Sequence, residues 1–335
     1  MKSVRLYAKG DLRFENVESP GLPNVGWVRM KITAAGICGS DIHNYRTGRW
    51  IGRAPSVAGH EFTGYVTAVG ATVETLNVGD YVVADSRFWC GECGACHEGR
   101  RHFCESLGFV GEVCDGGFAE EIVLPERLLI KIDPAIPPEV AATAEPFAVA
   151  LHAVMRLNAP AGTAILIVGC GPIGGFTALI ARKLIKGPIF VADRNFARAE
   201  LVADVTGAQV VELATPDISH TFKGQNINYA IEASGNIAAL NSLVNVVSSG
   251  ANIALVGIYH GVLDFDPNTI VEREITLLGC HAFQDELSEA AELLKNYSDD
   301  IKKFIHDIIS LEDVPAAYQR LIAGNTSGLK TIIRM

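Results

Sequence analysis

The sequence predicts an α/β chain in which a mostly β lobe is followed by a doubly wound parallel sheet, and three observations carry that expectation. From Val28 to about Val123 the chain runs in short β-branched stretches, such as Val28–Ile32 and Tyr65–Val69, punctuated by glycine and acidic turn residues. Around Ala164 the pattern changes to buried apolar runs separated by helical segments: Ala164–Val168, Ile189–Ala192, Gln209–Val211, Tyr229–Glu232 and Ile253–Val256. Such alternation is the signature of a parallel sheet covered on both faces. The 335 residues are enough for two domains with a core each.

Between the two patterns, the apolar Ala148–Leu157 segment behind Glu145-Pro146 predicts a helix with proline near its first turn, bridging the lobes. Beyond Gly279 a helix is expected over Glu286–Leu294 and a strand over Gly328–Ile333, the latter returning to the first lobe. There is no internal repeat.

Bulk properties exclude several classes. A formal charge of −10, with only Arg100-Arg101-His102 locally basic, argues against nucleic acid as a partner. No apolar run approaches the ~20 residues that span a bilayer, and Met1–Arg5 leads into a strand-like segment rather than a signal sequence. A cytoplasmic protein with reduced thiols is expected.

Half of the eight cysteines fall in one short stretch, Cys90, Cys93, Cys96 and Cys104, with C-x2-C-x2-C-x7-C spacing. Four thiols so placed can converge on one tetrahedral ion, which nominates a structural zinc lobe. A ferredoxin-like cluster is a rival, but its fourth thiol follows closely and precedes proline, whereas Cys104 precedes Glu105. Free buried cysteines are the bland alternative.

The run Ile165–Val168 leads into Gly169-Cys170-Gly171-Pro172-Ile173-Gly174 and then a helical pattern, the strand–turn–helix context of a dinucleotide loop. Gly169 allows the tight turn, Gly171 the approach of a pyrophosphate, and Gly174 close helix–strand packing. Asp193 ends the next strand, at the distance expected of a ribose-diol acceptor. An acid there repels a 2′-phosphate, which favours NAD over NADP, while Arg194 and Arg198 keep NADP open.

Three further segments offer metal ligands: Gly36–His43, Gly59-His60-Glu61 and Ala144-Glu145-Pro146. Each alone is ambiguous. Arranged around the cysteine cluster and ahead of the glycine turn, and together with Asp115–Glu120, they make the chain resemble the zinc-dependent medium-chain alcohol dehydrogenase family over essentially its whole length. The nearest branch by motif is that of sorbitol and L-idonate dehydrogenases, where glutamate replaces a cysteine at the position of Glu145.

The resemblance implies a GroES-like, mostly β catalytic domain over residues 1–150 and 285–335, with the zinc lobe at 86–106, and a Rossmann domain over 151–284. It implies two zinc ions per chain: the four-cysteine ion and a catalytic one, in the cleft between domains, held by Cys38, His60 and Glu145, with Glu61 as direct or alternative ligand. Asp41 would fix the tautomer of His60. Ser40 and then His43 would carry the alcohol proton away as hydride passes to NAD. Tyr45, Arg46 and Arg273 are expected near the substrate, a secondary alcohol of a polyol, sugar or sugar acid; Arg49 and Arg53 read equally well as solvated loop residues. The family also implies a homodimer or homotetramer, with Ile275–Leu278 as a candidate edge. Two other readings stay open: a dinucleotide-binding redox sensor in which zinc is only structural, and a zinc-free quinone or enone reductase.

Overall fold

The computed structural model describes residues 1–213, 221–263, 266–324, 326 and 328–335. Two compact units are present. The first comprises Met1–Glu145, Leu287–Thr326 and Lys330–Met335, and the second Pro146–Glu286 and Ser327–Leu329.

The first unit is built on a mixed sheet. The strands Leu129–Lys131, Tyr81–Ala84, Glu61–Val69, Trp27–Gly36, Lys330–Arg334 and Ile305–Ser310 lie side by side in that order, and Glu121–Pro125 pairs with Trp27–Gly36. Alternate residues of Trp27–Gly36 (Val28, Met30, Ile32, Ala34) are fully buried, as expected of a strand with one face on the core. The register sets Gly36 opposite Glu61 on one side and Ile332 on the other. The Lys330–Arg334 strand thus joins this sheet between Trp27–Gly36 and Ile305–Ser310, a return to the first lobe as expected.

In the second unit six parallel strands follow the order Gln209–Val210, Ile189–Ala192, Ile165–Val168, Tyr229–Glu232, Asn252–Leu255, Thr276–Gly279. Numbered along the chain that is 3-2-1-4-5-6, the doubly wound order whose switch point lies between the first and fourth strands. Ile165–Val168 and Ile189–Ala192 are buried on both faces, which is why they read as continuous apolar runs. The five strands expected from sequence appear within a residue or so of their predicted bounds. The helices Ala144–Leu157 and Pro172–Leu184 appear too, but Glu286–Phe304 runs a further ten residues past Leu294.

One expectation is corrected here. Arg273 is not presented to a substrate: its Nη1 donates to the carbonyl of Val244 at 2.6 Å and its Nη2 to that of Val247. Those carbonyls belong to the last turn of the Ile237–Val246 helix, where a cation offsets the unsatisfied acceptors and the negative end of the helix dipole. Nothing in the local pattern of Arg273-Glu274 hints at a partner some thirty residues upstream. Arg273→Ala is expected to lower the stability of the chain by about 1–2 kcal/mol in chemical denaturation, with KM for any alcohol unchanged.

Candidate active site

Among the described residues, two groups of thiol, imidazole and carboxylate side chains bring their ligand atoms within 4.8 Å of one another, and both lie in the first unit. One is Cys90, Cys93, Cys96 and Cys104. Cys90 Sγ lies 3.5 Å from Cys104 Sγ and 3.9 Å from Cys96 Sγ. Four sulfurs at about 2.3 Å from a tetrahedral zinc stand about 3.8 Å apart, so the spacing fits that ion. Backbone N–H groups also point at the sulfurs: that of Cys90 at Cys104 (3.3 Å) and that of Cys93 at Cys90 (3.4 Å). Amide N–H groups of Glu105 and Cys96 pull the Cys93 thiol down to about 6, toward the thiolate a metal requires.

The second group is Cys38, His60 and Glu61. Cys38 is the N-cap of the Gly39–Thr47 helix, in extended backbone, and its N–H donates to Asp41 Oδ2 at 2.9 Å. Asp41 Oδ1 stands 3.4 Å from Nδ1 of His60. A single carboxylate therefore closes the helix start and orients the imidazole, leaving Nε2, 3.5 Å from Ser40 Oγ, toward the cluster. Burial opposes a charge on His60, yet Asp41 and the Cys38 thiolate outweigh it and hold the ring well above its ordinary value.

Glu61 is 1 % exposed. Its Oε2 accepts from the ammonium of Lys330, which also donates to the carbonyl of Ile37 at 2.9 Å. Its Oε1 is buried and accepts from no described residue. Gly36 creates the room: a Cβ there would come 2.2 Å from Glu61 Oε2 and 2.8 Å from Lys330 Cε. A thiolate, an imidazole and a carboxylate oxygen with no other partner form a donor set that suits zinc. Glu145 is not in this group. It is buried, accepts from Ser86 Oγ at 2.6 Å, and is pushed up to about 7 by burial, with His60 drawing it down and Glu61 pushing it further up.

His43 lies under Trp50, ring centroids 4.5 Å apart, with Nε2 3.4 Å from Thr47 Oγ1. It is 9 % exposed, which differs from the solvent-side position expected of a last proton carrier. Tyr45 packs edge-on against Tyr318, and its hydroxyl accepts from Gln319 at 2.9 Å. Arg46 is exposed, whereas Arg53 is held bidentately by Asp115.

In the second unit the glycine turn joins the Ile165–Val168 strand to the Pro172–Leu184 helix. Pro172 opens the Pro172–Leu184 helix behind Gly171 as N-cap, with Ile173 and Gly174 in its first turn. A Cβ at Gly174 would meet the carbonyl oxygen of Gly169 at 1.8 Å, while one at Gly171 would meet nothing within 4 Å. The open space over Gly171 is where a pyrophosphate would approach. Asp193 accepts the N–H of Cys170 at 2.6 Å and that of Asn195 at 2.7 Å, so it already braces the turn. Arg194 is exposed, and Arg198 sits in the first turn of the next helix, its N–H 3.3 Å from the Asn195 cap.

Sequence reasoning missed Lys330, Gly36 and Ser86. Lys330 lies 269 positions from Glu61, and nothing in its local pattern distinguishes it from a solvated lysine.

Residues 24–134 match the family described as alcohol dehydrogenase GroES-like domain, and residues 172–296 the one described as zinc-binding dehydrogenase. The chain is 30 % identical to sorbitol dehydrogenase of Bacillus subtilis (strain 168), over 99 % of this chain and 97 % of that one. It belongs to the zinc-dependent medium-chain alcohol dehydrogenases, in their polyol-like branch. Within that family it is also 31 % identical to L-galactonate-5-dehydrogenase of Escherichia coli (strain K12), over 93 % of both chains. Two solved structures superpose across the whole chain and 99 % of their own. One is a short chain alcohol dehydrogenase of E. coli CFT073 with NADH (TM-score 0.91, 28 % identity), and the other a zinc-binding dehydrogenase of Sinorhizobium meliloti 1021 with NADP (0.92, 27 %). The fold class expected from sequence is that of this family, and no described helix is long and apolar enough to cross a membrane.

The two glycines make opposite predictions. Gly174→Ala should destabilise the second unit by several kcal/mol, seen as a lowered Tm. Gly171→Ala should keep the wild-type Tm and weaken dinucleotide binding, measured by fluorescence titration.

Proposed function

We propose that this dehydrogenase oxidises a secondary hydroxyl of a small polyol, sugar or sugar acid to the ketone, with NAD taking the hydride and one proton being released. The observation that carries the reading is the largely buried cluster of Cys38, His60 and Glu61, in which Glu61 Oε1 has no hydrogen-bond partner among the described residues. Zinc, when bound, supplies the Lewis acidity that eases loss of the alcohol proton, and the nicotinamide accepts the hydride.

The chain's own residues do the rest. Cys38 and His60 hold the ion, and Asp41 keeps the imidazole turned toward it. Glu61, restrained by Lys330, is the carboxylate ligand within the cluster, and Glu145, held by Ser86 outside it, is the further ligand that the family resemblance implies. Ser40 Oγ, 3.5 Å from His60 Nε2, accepts the proton of the substrate hydroxyl while giving up its own. His43, one turn further along the same helix, receives that second proton and gives it up to solvent through its small exposed part. Asp193 supports NAD over NADP: its carboxylate faces the glycine turn, and each oxygen keeps a lone pair for a ribose hydroxyl. With Arg53 and Arg273 committed to Asp115 and to helix carbonyls, Arg46 is the expected substrate arginine left for a carboxylate. That favours neutral polyols over aldonates.

A panel of polyols and aldonates with NAD and NADP, followed by reduced-nicotinamide absorbance, tests the reading; absence of turnover with every secondary alcohol overturns it. Ser40→Ala should lower kcat by roughly a hundredfold with zinc content unchanged. Arg46→Ala should leave polyol oxidation unaffected, and a selective loss on aldonates would make sugar acids the substrate.

Zinc affinity at this site carries its own pH signature. Glu145, pushed up to about 7, and His60, held above its ordinary value, both bear protons near neutrality in the metal-free chain, and the ion must displace them. Affinity should therefore fall as pH drops below about 7, and less steeply in Glu145→Gln, by competition with a zinc indicator.

A further inference from the structure

The lobe bearing the four cysteines carries an arrangement of its own beside the thiols. Trp89, immediately before Cys90, is 9 % exposed and belongs to the core of the first unit. Two guanidinium groups lie over its indole: Arg101 at 4.7 Å and Arg127 at 5.1 Å from the ring centroid. Arg127 comes from a separate element, the single turn Glu126–Leu128 between two sheet strands. It is fixed in place three ways. Its Nη2 donates to the carbonyl of Trp89 at 3.0 Å, and its guanidinium covers both Trp89 and, at 5.6 Å, Phe88. Burial works against its charge, and Cys90 and Cys96, when ionised, work in favour of it. The same cation therefore touches the backbone one residue before the first ligand and feels two of the four sulfurs.

Four thiolates around a divalent ion leave a net double negative charge. In partly buried surroundings that charge needs compensation, or the thiols hold their protons and the ion is lost. Backbone N–H groups supply part of it. We propose that Arg127 supplies the unit charge that completes it, a positioning residue that holds the four-cysteine site in its metal-binding state through the Trp89 carbonyl and indole. The inference rests on the reading of this lobe as a zinc site. Arginine is the residue suited to the place, because its planar fork can stack on one indole and donate to a carbonyl at once while keeping its charge.

The test measures release of the lobe zinc from the full-length holoenzyme into excess chelator, monitored with a chromogenic indicator, for wild type, Arg127→Gln and Arg127→Lys. Wild-type zinc content is measured first: a protein purified without zinc at this lobe overturns the zinc reading itself. Given that zinc, Arg127→Gln should release it roughly tenfold faster, the order expected of losing one unit charge beside a partly buried anionic cluster. Arg127→Lys keeps a cation and should stay within about twofold of wild type. Equal release from all three proteins overturns the proposal. So does release from Arg127→Lys as fast as from Arg127→Gln, which would make the role one of packing rather than charge; if Arg127→Gln does not fold, rapid release from Arg127→Lys alone overturns it equally.

Discussion

The buried pair of Glu61 and Lys330 is the constraint on which the candidate metal centre depends. Both side chains are 1 % exposed, and an uncompensated charge in such a place costs about 3–5 kcal/mol. The pair exists because three strands meet there. Glu61–Val69 and Lys330–Arg334 flank Trp27–Gly36, and the central strand ends in a residue without a side chain at the crossing point. The cluster is thus a property of the sheet register: a one-residue slip of either neighbour would turn Glu61 or Lys330 to the opposite face.

Around that pair, each candidate ligand is held by something other than a metal. Asp41 holds His60 and the backbone of Cys38, Lys330 holds Glu61, and Ser86 holds Glu145. Such support limits the rearrangement that binding an ion would demand. The second unit follows the same logic at the glycine turn, where Asp193 accepts the amide of Cys170 and the close contact at Gly174 fixes the start of the helix.

Much of this is legible in the sequence because it is local. The strands of the parallel sheet announce themselves as apolar runs, the dinucleotide turn as a glycine pattern between a strand and a helix, and the candidate metal lobe as cysteine spacing. Cys38 and His60 are readable through family resemblance, since twenty-two positions separate them. What escapes is long-range and pairwise. Lys330 reads as a charged residue in a terminal strand until the sheet brings it to Glu61, and Arg273 reads as a substrate arginine until the end of a distant helix claims it. His43 sits in a helix too short and polar to reveal which face is covered, and only the return of Trp50 over its ring decides that.

The separation of 269 positions between Glu61 and Lys330 also bears on biosynthesis. Cys38, His60 and Glu61 leave the ribosome early, whereas their counter-cation is translated only after the whole nucleotide-binding segment. Until then the emerging carboxylate has no ammonium to face, so the catalytic half of the molecule reaches its final electrostatic balance only once the late strand threads into its sheet.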